Sequence, residues 1–141
     1  MTRILDSLAE IAGDYDAAFV DLWGCLHDGI RAFPDAVAAL KGWRRGGGRV
    51  VLVTNAPRPR AEVERQIEGL GVPRDAWDAI ATSGDSARLA LFHGAVGRKV
   101  HHIGEDRDAS FFHPLAIDAA PEPVEIVPMA EAEGLVVTGP A

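Results

Sequence analysis

Short, nearly all-apolar runs recur along the chain, with longer amphipathic stretches between them. Ala17, Ala18, Phe19 and Val20 lead to Asp21, "RVVLVTN" ends on Thr54 and Asn55, and "GLVV" stands at 134–137. Runs this short, apolar at consecutive rather than alternate positions, predict parallel strands buried on both faces. Strands are expected at 16–21, 49–55, 77–83, 99–104 and 133–139, the third weaker than the others, and the first reads as a central strand. The intervening stretches carry helical spacing. Residues 33–48 place apolar side chains at 37, 40 and 43, open with Pro34 and Asp35 and end on three glycines. Residues 57–72 align Val63, Ile67 and Leu70 and stop at Gly71, and 84–97 follows as a further helix. Residues 3–12 put Ile4, Leu5, Leu8 and Ile11 on one helical face, a short helix is expected over 107–116 ending at Pro114, and 120–128 reads as extended. Strand and helix in alternation define an α/β fold with a Rossmann-like parallel sheet.

In such sheets ligands bind beyond the carboxyl ends of the strands. Three of those ends are polar: Asp21, then Thr54 with Asn55, then Thr82 with Ser83. A carboxylate there can serve as nucleophile or metal ligand, and hydroxyl and backbone N–H groups can hold phosphate oxygens. Polar strand ends are also ordinary turn formers, and for Thr54 the two readings stand level. Asp21 is different, because a carboxylate closing an apolar strand needs a partner, and Gly24 directly after it permits a tight turn.

Composition narrows the function classes. The chain has 141 residues, a net charge of -7 and no basic stripe, which argues against a nucleic-acid partner. No apolar run reaches the ~18 residues of a membrane span, and the N-terminus has no signal-peptide core. Cys25 is the single cysteine, so an internal disulfide is excluded and a reducing cytoplasm is the default. Next to Gly24 it reads as a small buried side chain. His101 and His102 should face opposite ways on their strand, which disfavours joint metal ligation. Trp43 and Trp77 read as core or rim, and Arg58 and Arg60 as a solvated helix start or an anion contact.

"FVDLWGCLHDG" followed by "VLVTNAPR" and "AIATSGDSA" resembles the haloacid-dehalogenase-like superfamily. More narrowly it resembles the NagD-like class IIA hydrolases, in a branch with Asp-x-Trp-Gly in the first motif. The resemblance implies a Rossmann-like core over 1–82, the start of an α/β cap over 83–141, and a chain that is the N-terminal half of a longer protein. It implies a phosphohydrolase of a small phosphorylated metabolite that uses Mg²⁺. Asp21 would be nucleophile and metal ligand, the Trp23 backbone carbonyl a second metal ligand, and Thr54 the holder of the phosphoryl group. Asn55 would support the substrate and Gly24 the turn.

Two departures stand against this pattern. Trp23 occupies the place of the family's general acid/base, and indole offers only an N–H donor. His27 and Asp28, the nearby alternatives, read better as a turn. The family's later lysine and late acidic pair have no counterpart: the lysines are Lys41 and Lys99, and neither lies in the expected context. A catalytically inactive module that binds a phosphorylated ligand or a partner chain is therefore the competing expectation, and a self-pairing homo-oligomer a third.

Overall fold

A computed structural model describes residues 4–113 and 122–139. It divides into two compact units. The first runs to Thr54 and resumes over Ala61–Ala81; the second takes Asn55–Arg60 and the residues from Thr82 onward.

The first unit is built on strands β1 (Ala17–Asp21), β2 (Arg49–Thr54) and β3 (Ala79–Thr82), in the order β1-β2-β3. β1 and β2 are parallel, with Asp21 opposite Val53. Helix α1 (Pro34–Arg45) starts on Pro34, whose missing N–H costs nothing in the first turn, and buries Leu40 and Trp43. Helix α2 (Arg60–Gly69) buries Val63 and Ile67 and ends before Gly71. With Val50, Leu52 and Trp77 these side chains make the core. Trp43 and Trp77 are both core residues.

Two expectations fail here. β1 is not central: among the described strands it has a neighbour on one side only, and Phe19 is 77% exposed. A continuous apolar run cannot distinguish a covered strand from one whose cover is missing. Among the described residues of the stretch expected as a first helix, 4–12 form no α-helix. Leu8–Glu10 and Ala12–Asp14 are single 3-10 turns, the first fixed by a capping box between Ser7 and Glu10. Leu5, Leu8 and Ile11 are only half-buried and Ile4 is 91% exposed, and a helix this short does not hold without fuller packing.

Asp78 joins the amino end of β3 to β2. Its carboxylate accepts the Val50 N–H at 2.7 Å and the Arg44 guanidinium at 2.8 and 3.2 Å. The Val50 N–H and the Arg44 hydrogen bond hold its pKa below the ordinary carboxylate range. A depressed folded pKa contributes stability above the unfolded value, and that contribution disappears as pH falls through the folded one. Asp78→Asn should therefore melt earlier than the parent at pH 7, and the gap should close below about pH 4. Melting curves from pH 7 to pH 3 test this; a gap that persists into acid refutes it.

The second unit carries helix α3 (Ser83–Phe92) and strands β4 (Lys99–Ile103), β5 (Glu125–Ile126) and β6 (Gly134–Val137), in the order β5-β4-β6 with both pairings parallel. Leu91, Val100, Phe111 and Val136 form its core. The short helix expected near 107–116 is a 3-10 segment, Asp106–Phe112; Pro114 lies outside the described residues, as does the start of the extended stretch at 120–128. Thr82 caps α3 by accepting the Asp85 N–H, and the Ser83 hydroxyl donates to the carbonyls of Asn55 and Ala56. Gly84 lies directly against the Pro57 backbone, where a Cβ would collide with the carbonyl.

At the carboxyl ends of β4 and β6 the Thr138 hydroxyl donates to Asp108 at 3.2 Å and meets His102 Nε2 at 2.9 Å. His101 turns instead to the Val127 carbonyl, so the two adjacent histidines do have separate surroundings. Thr138 and Asp108 are buried, so Thr138→Val should cost about 1–3 kcal/mol by orphaning the carboxylate. Urea denaturation measures this, and a loss below about 0.5 kcal/mol would count against it.

Candidate active site

β1 delivers Asp21 to its carboxyl end, and the parallel register sets Thr54 one residue past Val53, the partner of Asp21 on β2. Thus a carboxylate and a hydroxyl residue stand at adjacent strand ends. The first carboxylate oxygen of Asp21 accepts the N–H of Leu22 at 2.8 Å, which orients the group. Asp21 is exposed, so it can be reached by a ligand.

The chain then folds a tight flap. Leu22 O accepts from the N–H groups of Cys25, Leu26 and His27, and the Gly24 N–H donates to His27 O at 2.8 Å. Gly24 takes φ +77°, a conformation that costs glycine little. Leu22 and Leu26 turn inward and are buried, which throws Cys25 outward. The expectation of a buried cysteine is therefore wrong; the two leucines occupy the interior that the turn offers.

His27 and Asp28 are held by the turn itself. His27 is buried, and its Nδ1 accepts the Gly29 N–H at 3.1 Å. Burial lowers its pKa, opposed by the charges of Asp28 and Asp21. Asp28 accepts the N–H groups of Arg31 and Ile30 through one oxygen, at 2.8 and 2.9 Å, and these bonds hold its pKa below the usual carboxylate range. Trp23 lies exposed over the flap. Among the described residues, the backbone hydrogen bonds that close the flap use the Leu22 and His27 carbonyls and not that of Trp23.

The other sequence candidates are placed differently. Asn55 belongs to the second unit, where its carbonyl accepts the Ser83 hydroxyl. Thr82 caps α3, and the Ser83 hydroxyl donates to the carbonyls of Asn55 and Ala56. Lys41 pairs with Asp75 at 2.8 Å. Among the described residues no group of three or more His, Cys, Asp or Glu side chains could hold a metal ion. The donors the resemblance implies, Asp21 and the Trp23 carbonyl, are two at most, so a hard divalent cation held there would take its remaining ligands from water and substrate.

A parallel α/β sheet that ends in a reachable carboxylate with a hydroxyl residue beside it has the place and the groups at which such sheets bind ligands. Residues 18–118 match the family of haloacid dehalogenase-like hydrolases, and the chain belongs to that family. The structure of a haloacid dehalogenase-like hydrolase from Brucella suis 1330 superposes with a TM-score of 0.85 at 38% identity, over 98% of this chain and 49% of that one. The chain thus spans about half the length of that relative. A glycerol phosphate phosphatase from Mycobacterium tuberculosis, solved in complex with calcium, superposes with a TM-score of 0.53 at 30% identity, over 72% of this chain and 29% of that one. No curated protein matches the chain. No helix among the described residues is long and apolar enough to cross a membrane.

Proposed function

We propose that the chain is the N-terminal part of a NagD-like phosphohydrolase that transfers the phosphoryl group of a small metabolite onto Asp21. The observation that carries this reading is the exposed, oriented carboxylate of Asp21 beside Thr54 on parallel neighbouring strands. One Asp21 oxygen is fixed by Leu22 N–H, which leaves the other to attack phosphorus. Thr54 would hold the phosphoryl oxygens, Gly24 would let the chain turn away from the incoming group, and Asn55 would steady the substrate side. Asp21 and the Trp23 carbonyl would hold Mg²⁺, which neutralises phosphate charge when bound. Calcium in the mycobacterial phosphatase is in keeping with a divalent-cation site. On this reading 1–82 begin the catalytic core and 83–141 the cap, in a cytoplasmic protein whose substrate is a small molecule rather than a nucleic acid or a membrane.

The test is covalent trapping. The full chain, quenched in acid during reaction with a phosphate ester and Mg²⁺, should carry a hydroxylamine-sensitive phosphoryl group that maps to Asp21. Trp23 favours a second reading, an inactive module that binds a phosphorylated ligand or a partner chain. That module would bind phosphate without turnover and yield no phosphorylated Asp21.

A further inference from the structure

The tryptophan two residues past Asp21 bears on which esters this site can cleave. Asp21 and Trp23 flank the buried Leu22 and are both exposed, Trp23 at 68%. The indole nonetheless has a fixed seat. It lies on Gly29, at φ +87°, where any Cβ would run into the ring. It also meets His27 edge-on, with centroids 5.9 Å apart and planes at 86°. A large aromatic surface held open to solvent, two residues along the chain from the strand-end carboxylate, offers a wall for a flat partner.

The same residue removes an acid. When the Asp21 oxygen bonds to phosphorus, the bond from phosphorus to the leaving oxygen breaks and that oxygen departs with the electron pair. An alkyl alkoxide needs a proton at that moment, and the indole N–H is too weak an acid to give one. The flap offers no substitute. The Asp28 oxygen that points into the turn is held by two N–H groups, and His27 is buried with its Nδ1 taken by the Gly29 N–H.

We infer that the site is built for phosphate esters of phenol-like oxygens on a planar ring, with the ring against Trp23. This rests on Asp21 as the phosphoryl acceptor. An aryl oxide is stable enough to leave unprotonated and takes its proton from water afterwards. In the second step water adds to phosphorus, the bond from phosphorus to Asp21 breaks, phosphate leaves and the water proton passes to solvent. With no base at position 23 this step is slow, so aryl product appears in a burst followed by a slow steady state.

The experiment compares p-nitrophenyl phosphate, phenyl phosphate and glycerol phosphate on the full chain, in single-turnover and steady-state modes. Phosphoryl transfer should be at least about 100-fold faster from p-nitrophenyl phosphate than from glycerol phosphate. Trp23→Asp should flatten this dependence, raise glycerol phosphate turnover about 100-fold and abolish the burst. It should also weaken phenyl phosphate binding about three- to tenfold by loss of the ring. Trp23→Phe supplies a ring without an acid and should keep the steep dependence, which a purely structural role for Trp23 would not predict. Equal wild-type rates on aryl and alkyl esters, or a dependence that Trp23→Asp leaves unchanged, overturn this inference while Asp21-dependent turnover still upholds the phosphohydrolase. Turnover that survives Asp21→Asn, or no phosphoryl transfer from any of the three esters, overturns both.

Discussion

Asp21→Asn should abolish phosphate-ester turnover, with an expected loss of about 10³-fold or more, as for the removal of other nucleophiles. The substitution is close to isosteric. The amide oxygen can keep the Leu22 N–H bond that orients the side chain, so the fold has no reason to change. What disappears is the negative charge and the lone pair that attacks phosphorus. Asp21 is exposed, so its substitution should leave thermal stability within about 0.5 kcal/mol of the parent. The two readouts together are decisive. Activity lost at unchanged stability supports the nucleophile, and activity retained refutes it.

Arg88→Met should be the most damaging change in the second unit, at about 2–4 kcal/mol. Arg88 is buried on α3. Its guanidinium donates from Nε to the Phe111 carbonyl at 2.9 Å and from Nη2 to the His113 carbonyl at 2.6 Å, and pairs with Asp85 at 3.4 Å. The two carbonyls lie at the carboxyl end of the 3-10 segment, where helical turns leave oxygens unpaired. Methionine keeps the apolar stem but none of the donors, so the carbonyls are orphaned in place. Arg88→Lys should not restore stability, because one ammonium cannot reproduce the planar set of donors. Urea unfolding should show a lowered midpoint at unchanged slope. A shift below about 0.5 kcal/mol would mean that water replaces the guanidinium without penalty.

Sequence patterns revealed what is local. The apolar runs marked β1, β2, β3, β4 and β6 to within about two residues, and Pro34 and Gly71 marked helix ends. Asp21, Trp23 and Gly24 announced themselves through the first motif, and the β1–β2 register brought Thr54 alongside. What escaped notice depends on residues far apart in the chain. Arg88 and His113, or His102 and Thr138, have no shared spacing to betray them; each pair exists because two segments meet in the second unit. The misjudged first helix and the exposed Phe19 have one cause. Periodicity reports that a face is apolar, not that anything covers it. Nor does the sequence show that the chain passes from one unit to the other between Thr54 and Asn55.

That passage matters for anyone who would transplant the second unit. Residues 55–60 belong to it although α2 and β3 intervene before it resumes at Thr82. A chimera joined at a single point ahead of Ser83 would take the α3 hydroxyl away from the carbonyls of Asn55 and Ala56, and Gly84 away from the Pro57 backbone on which it rests. The exchangeable piece is a pair of segments sewn through the first unit, and a graft has to carry both.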